Sequence, residues 1–409
     1  MIHLLKIALR NLLRYRRRTL LTSSLITFGV VLVIVFGGLA ISFRSQMIGT
    51  ITNSSMGDLQ IHATGYVESI DNTPLHLFLT DSQYARVEGV LEGTEGVAAF
   101  SPRIKFGAMI SNYAQTSNIR LTAIRPDREM KTVTDLSKRV ARSDGALEIL
   151  KPGEVIVPVN LMKGLGLHVG DEIVLIATNK EGSVNGIPVR VGGVIESVVG
   201  PTGKDGYMHI DDAVSLLRMS QPEINEVAVK LKSFDELKQT ASVLRRSIAA
   251  EEVPAEVHTW EQLSPFSSIA RIVDLLVLVV KFILISIVLV SILNIMTMSV
   301  FERVAEIGTI AAMGTPPGRI RLMFLLEGLA MGASSTIAGT VVGVGIIWAL
   351  RAVSIEFTFG MMDVSLVPSV PVSEVLVTSV IVTLVSLLAS LQPASRAAAM
   401  EPVDALGHV

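Results

Sequence analysis

Four long apolar runs constrain this chain more than any other feature. Residues 20–43, 275–300, 323–350 and 372–391 each offer roughly the 20 apolar residues that a bilayer-spanning helix needs. Only 18% of the 409 residues are charged, where a soluble domain holds about a quarter, so the apolar excess is concentrated in these runs. They stand around one ordinary polar segment, an arrangement that the core helices of a large soluble protein do not produce. The expected fold class is an α-helical membrane protein with four transmembrane helices plus a large extracytoplasmic α+β domain. With no cysteine, disulfides and thiolate sites are excluded. No basic surface is interleaved with aromatic residues, which argues against a nucleic-acid partner.

Charge distribution orients the spans. Residues 1–18 carry Lys6, Arg10, Arg14, Arg16, Arg17 and Arg18 and no acid, with Leu4, Leu5, Ala8, Leu9, Leu12 and Leu13 at helical spacing between them. This reads as a basic amphipathic helix on an anionic inner leaflet. A signal peptide is the competing reading, but the apolar stretch is too long and Ser42-Phe43-Arg44 is no Ala-x-Ala site. The first span is therefore expected to be retained, with its N-terminus cytoplasmic by the positive-inside rule. The expected spans are 19–43, 272–300, 322–350 and 372–392. The segments 44–271 and 351–371 then lie outside, while 301–321 and the tail 393–409 lie in the cytoplasm.

The segment 44–271 has the alternation of a folded domain. Strands are expected at 59–63, 96–102, 104–109, 119–124, 154–158, 169–175, 226–231 and 256–260, and helices at 82–91, 159–165 and 234–249. Residues 187–197 suit strands meeting at a tight bend, and a β-rich insert is expected at about 128–222. No catalytic constellation stands out. None of His3, His62, His76, His168, His209, His258 and His408 forms the HExxH spacing of a zinc helix, so no metal site is expected. Residues 201–205 lack the Ser or Thr that a P-loop needs after its Lys. The chain is therefore expected neither to bind nor to hydrolyse ATP, and not to be an enzyme.

The polar stretch 299–327 interrupts the apolar half. It holds Glu302, Arg303 and Glu306-Ile307-Gly308, then the breaker Met313-Gly314-Thr315-Pro316-Pro317-Gly318, then Arg319 and Arg321. A short charged helix broken by Gly and Pro suits a docking element at the membrane face. Glu327, near the inner end of the third span, can pair with Arg303, Arg319 or Arg321. Asp274 and Lys281 read as interfacial anchors at the outer end of the second span. The third span carries Gly328, Gly332, Gly339, Gly343 and Gly345, which allow close helix packing. Phe28, Phe36, Phe43, Met47 and Ile48 are candidates for meeting an apolar or lipid-linked substrate, with plain lipid contact as the alternative.

Three stretches carry a family resemblance. Residues 294–314 (NIMTMSVFERVAEIGTIAAMG), 324–328 (FLLEG) and 393–406, with PASRAA followed by EPVDAL, resemble the FtsX, MacB and lipoprotein-releasing LolC and LolE permeases. Residues 56–62 (MGDLQIH) resemble the lipoprotein-releasing group in particular. The resemblance implies a porter-like outer domain with a β-rich insert, and a non-catalytic ABC transporter permease subunit. It implies a cytoplasmic ATPase dimer as partner, which holds the ATP and Mg²⁺; no cofactor is implied on this chain. A second permease subunit, the same or similar, is implied too, as is a periplasmic lipoprotein carrier or adaptor beside the membrane lipids. Helix 303–318 would sit in a groove of the ATPase, with Glu302, Arg303 and Glu306 as polar contacts and Ile307, Ile310 and Met313 as apolar ones. Gly308 would allow close approach and Gly314 would end the helix. The implied activity is extraction or export of lipoproteins or other hydrophobic substrates from the outer leaflet. The alternative is a signalling permease that regulates a periplasmic partner without moving cargo.

Overall fold

The computed structural model describes residues 16–142, 149–196, 203–353, 355–359 and 362–401. Most of the basic segment 1–18 and residues 402–409 of the tail lie outside the described residues. The chain forms a helical unit and a β-rich unit, the latter made of residues 47–269 with 358–364.

Helix α1 (Arg16–Ile51) ends in a π-helical turn, Thr52–Met56, and Gly57 at φ +74° turns the chain into β1 (Leu59–Ala63). A Cβ on Gly57 would lie 2.9 Å from the Val229 carbonyl oxygen, so this turn requires glycine. Next come α2 (Asp81–Gly93), β2 (Val97–Ser111), β3 (Thr116–Ile124), α3 (Pro126–Thr132), α4 (Leu136–Arg139) and β4 (Val140–Ala141). They are followed by β5 (Glu154–Pro158), α5 (Val159–Leu165), β6 (Glu172–Thr178), β7 (Val184–Ile195), β8 (Asp205–His209) and α6 (Ile210–Leu216). The unit ends with β9 (Glu226–Leu231), α7 (Leu237–Ala250), β10 (Ala255–Thr259) and α8 (Trp260–Leu263). Local sequence explains the helices: a Thr80–Gln83 capping box starts α2. In α7, Leu237, Ala241, Leu244 and Ile248 recur on one face and are buried.

Two β arrangements share β2. Its first half lies beside β9 in the antiparallel order β10-β1-β9-β2. Its second half pairs with β3, and the path continues through β8, β5, β7 and β6 back to β2, a closed ring of six strands. This corrects four expectations. The runs 96–102 and 104–109 are one strand. Pro102 causes no break because the pairing of β2 with β3 stops at Ile104, so its missing N–H costs no ladder bond on that side. Residues 187–195 belong to a single strand, β7, whose pairing with β5 shifts register by one residue at Gly192-Gly193 instead of bending. The strand expected at 169–175 starts only at Glu172, after Gly170 at φ +101°. The β-rich ring also recruits β3 and half of β2, so its strands begin before residue 128.

The helical unit contains α1 and α9 (Phe266–Glu302), α10 (Val304–Ala312), α11 (Pro317–Arg351) and α12 (Val372–Ala398). All but α10 are long and apolar enough to cross a membrane. Glycine sets the packing distances. Added Cβ atoms would lie 2.6 Å from Val30 Cβ at Gly339 and 3.1 Å from Ile34 Cγ2 at Gly343, both on α1. Gly332 meets Ser386 of α12 in the same way, at 2.3 Å. These small residues therefore serve helix packing within the protomer. Leu275, Leu278, Phe282, Ile283 and Ile287 stay exposed along α9. The segment 351–371 contains a hairpin, β11 (Ile355–Phe359) and β12 (Met362–Leu366), that its sequence did not suggest. The fourth helix runs through Pro393 to Ala398, past the end expected at 392; prolines are tolerated where neighbouring helices and Ser/Thr side chains re-satisfy the backbone.

Candidate functional site

The polar stretch between the second and third spans folds as a short helix held at both ends by sequence-specific geometry. The long α9 stops at Glu302 because Arg303 leaves helical geometry (φ −114°, ψ 16°), and α10 starts in a new direction. Gly314 at φ +86° ends it, with Thr315 N–H donating to the Ile310 carbonyl at 3.4 Å and Gly314 N–H to the Ala311 carbonyl at 3.0 Å. Pro316 then precedes α11 and Pro317 is its first residue, where the missing N–H has no partner to lose. The helix expected over 303–318 is therefore shorter, Val304–Ala312, because left-handed Gly314 and the Pro pair cannot continue it.

Arg303 fastens this helix to the third span. It is 6% exposed, and its guanidinium donates to both oxygens of Glu327, at 3.0 and 3.2 Å, and to Glu306 Oε2 at 3.2 Å. It also lies 5.5 Å from the ring centroid of buried Phe324. The candidates Arg319 and Arg321 stay exposed on the first turn of α11, so the partner given to Glu327 is Arg303. Of the polar docking candidates, Glu302 is exposed, Glu306 half-buried and Arg303 buried.

The apolar face points the other way from expectation. Ile307 and Gly308 are buried, and Ile307 shares a core with Val300, Met323, Phe324, Ala394 and Ala397. Half-buried Ile310 packs against that core. With 3.6 residues per turn, the face that carries Arg303 and Ile307 is committed to the chain's own bundle. Ala305, Thr309, Ala312 and Met313 are left outward, Met313 being 73% exposed. Of the expected apolar contacts, only Met313 is free to meet another molecule.

Further from α10, Lys281 of α9 pairs with Glu374 of α12 beside Gly37 of α1, and Arg44 of α1 pairs with Asp274 at 2.8 Å. The expected interfacial anchors are thus interhelical ties. Of the substrate-cavity candidates, Met47 and Ile48 are buried, each 4% exposed, and do not line an open surface, because α1 continues as helix through both into its enclosed last turns. Phe36 and Phe43 are half-buried and Phe28 is exposed.

Two polar networks in the β-rich unit escaped the sequence. Buried Asp58 accepts from Leu231 N–H at 2.9 Å and from Lys230 at 3.0 Å, and Lys230 also donates to Asn53 at 2.7 Å. Arg139 of α4 donates to the Ser54 and Glu196 carbonyls, each at 2.5 Å, so the turn that ends α1 is tied to both β arrangements. Deeper, Arg103 pairs with Glu129 at 2.5 Å and Glu226 at 2.6 Å, and Glu226 also takes Lys105 at 2.7 Å and His62 at 3.4 Å. Burial pushes Glu226 up, but Lys105, the His62 hydrogen bond and Arg103 outweigh it and hold the carboxyl well below its ordinary range. Burial pushes the His258 imidazole down, helped by nearby His62. Partners more than 100 residues apart, such as Lys105 and Glu226, leave no local signal. Among the described residues no group of His, Cys, Asp and Glu is placed to hold a metal ion.

Two family profiles match and between them cover most of the chain: a MacB-like periplasmic core domain over residues 19–247, and an FtsX-like permease C-terminal domain over 278–402. The chain is 24% identical over 410 residues to a lipoprotein-releasing system transmembrane protein LolC of Neisseria meningitidis, covering 95% of this chain and 94% of the relative. It is 24% identical to a lipoprotein-releasing LolE of Haemophilus influenzae, covering 80% and 81% respectively. It is also 42% identical over 118 residues to a macrolide export ATP-binding/permease protein MacB of Chlorobaculum tepidum, a match covering 29% of this chain and 17% of the relative.

Proposed function

The chain belongs to the family of ABC transporter permeases with FtsX-like and MacB-like domains, and from that premise we propose that α10 is the element through which a separate cytoplasmic ATPase drives it. The observation that carries this reading is the asymmetry of α10. One face is locked by Arg303 and Ile307 to the third span and the bundle core, while the other presents Ala305, Thr309, Ala312 and Met313. A helix fixed on one side and free on the other passes force applied to its free face directly into α9 and α11. α10 then lies in the cytoplasm of a bacterial inner-membrane protein, with both termini on that side and the β-rich unit in the periplasm, where α1 and the Asp58–Lys230 and Arg139–Ser54 ties pass span motion onward.

The ATP and Mg²⁺ reside in the ATPase dimer, and this chain, paired with a second copy or a similar permease, is the non-catalytic subunit. The cargo class is lipoprotein or another hydrophobic substrate taken from the outer leaflet and handed to a periplasmic carrier or adaptor, in keeping with what the LolC and LolE relatives are named for. The test is co-purification with the ATPase after Ala305→Arg or Thr309→Arg, which place a charge on the free face. Loss of the ATPase with an intact fold is expected; unchanged recovery would refute the docking face. Release of a fluorescently labelled lipoprotein from proteoliposomes by the native complex is expected to require ATP. ATP turnover without release would remove the lipoprotein assignment and favour signalling.

A further inference from the structure

A cleft of about 590 Å³ opens in the β-rich unit where β2 and β6 separate, lined among others by Gly107, Met109, Arg120, Thr178, Val184 and Lys204. Its volume lies within the roughly 300–1,000 Å³ of small-ligand sites. β2 and β6 pair only at Met109–Ile176, Ile110–Leu175 and Ser111–Val174. Two residues further, the same antiparallel register would set Gly107 opposite Thr178, but the ladder has already ended.

Ladder parity shows which backbone groups face the gap. Asn112 N–H donates to the Gln115 carbonyl, so the even-numbered residues of β2 exchange bonds with β3 and the odd-numbered ones turn to the other edge. On that edge the Arg103 carbonyl accepts from Asn225 N–H, and the Asn225 side chain bonds both N–H and C=O of Lys105. Met109 meets β6. Between them, Gly107 meets neither strand nor capping side chain among the described residues. Across the gap, Asn179 N–H donates to the Ser183 carbonyl, so by the same parity Thr178 turns its amide and carbonyl away from β7 toward Gly107. Unpaired strand backbone is a template for another strand. No side chain on Gly107 shields this backbone, and the nearest atom to its missing Cβ is Thr73 Oγ1 at 3.8 Å.

The walls give the occupant its chemistry. Met109 and Val184 are 44% and 65% exposed, offering apolar contact beside the backbone. Arg120 and Lys204 bring two cations; Asp205 lies 3.6 Å from Arg120, and Lys204 bonds only the neutral Ser117 hydroxyl, at 3.4 Å, among the described residues. We propose that this cleft binds a short, extended, acidic peptide segment as an added strand between β2 and β6. Its main chain bonds Gly107 and Thr178, and its carboxylate meets Lys204 and Arg120. The site is independent of nucleotide and of α10, so it can fail while the coupling reading stands.

The experiment uses the full-length chain in lipid nanodiscs and fluorescence anisotropy with a fluorescein-labelled heptapeptide of alternating Val and Glu. Saturable binding is expected. It should weaken about tenfold, the equivalent of one good polar contact, when Glu is replaced by Gln or when Lys204→Gln is introduced. N-methylation of alternate peptide amides should abolish it. Gly107→Val, which fills the gap, should weaken both the Glu and Gln peptides with an unchanged melting curve; if it disturbs folding, Val184→Glu at the exposed rim replaces it and should repel the acidic peptide. Absence of saturable binding overturns the proposal. So does equal binding of the N-methylated peptide, or displacement by inorganic phosphate alone, which would identify a simple anion site.

Discussion

Removing Arg303 probes the link between α10 and the third span. Arg303→Met deletes three hydrogen bonds, two to Glu327 at 3.0 and 3.2 Å and one to Glu306 at 3.2 Å, and takes the guanidinium away from the carboxylate of Glu327, 4% exposed. Breaking a buried ion pair from one side costs about 3–5 kcal/mol, and loss of the cation over Phe324 adds about 0.5–1 kcal/mol. Most of that cost comes from keeping the Glu327 charge buried without the guanidinium, not from lost attraction. The double variant Arg303→Met with Glu327→Met removes both charges in a similar volume and should recover most of the loss. Unfolding of the full chain in mild detergent, followed by intrinsic fluorescence, gives the stabilities, and ATP turnover of the reconstituted complex gives the coupling. The double variant should fold well yet stimulate the ATPase poorly, because apolar packing does not fix the angle of α10 as charge-assisted hydrogen bonds from one guanidinium to Glu327 and Glu306 do. A single variant within about 1 kcal/mol of the native chain would refute the reasoning. So would a double variant less stable than the single one.

Other outcomes follow from packing and electrostatics. Gly339→Leu drives atoms into Val30, where even a Cβ would sit 2.6 Å away, and should cost about 1–3 kcal/mol in the same unfolding assay; Gly93→Leu, with open space at its Cβ, should cost less. Glu226 titrates below its ordinary range, so its ionised form stabilises the folded β-rich unit at neutral pH. That contribution is present above the unfolded carboxylate value of about 4.3 and is lost as pH falls from there through the lower folded value. Near-ultraviolet dichroism of the full chain should show acid lability below about pH 4, diminished in Glu226→Gln. Arg103→Ala takes the guanidinium from buried Glu129 and leaves Glu226 only Lys105 and His62, and should cost at least about 3 kcal/mol at neutral pH, read by thermal melting.

The helical half was the more legible in sequence because the bilayer imposes a length and an apolarity that residues 275–300 or 323–350 advertise locally. Gly314 and the Pro316-Pro317 pair likewise announced the turn after α10, since their backbone limits act on single residues. Which way α10 faced was not legible. Nine residues carrying Ile307 and Ile310, with Met313 just past their end, look the same whether the apolar side meets a partner or the chain's own bundle, and burial of Ile307 decides it. Nor could Glu327 choose among Arg303, Arg319 and Arg321 until the break at Arg303 folded that side chain back. In the β-rich unit, period-two alternation located β1, β5 and β9. The sharing of β2 between two arrangements depends on pairings with β9 and β3 that no local window contains.

The docking face of α10 is tested most directly by exploiting the absence of cysteine from this chain. A single Met313→Cys, placed on a side chain 73% exposed, carries a short photoactivatable crosslinker in the complex with the ATPase. Adducts to the ATPase are expected, with a yield that changes between nucleotide-free and ATP-bound states, while a crosslinker at Val290→Cys on the exposed flank of α9 should give none. An intact, turning-over complex with no adduct from Met313→Cys in either state would contradict the coupling role.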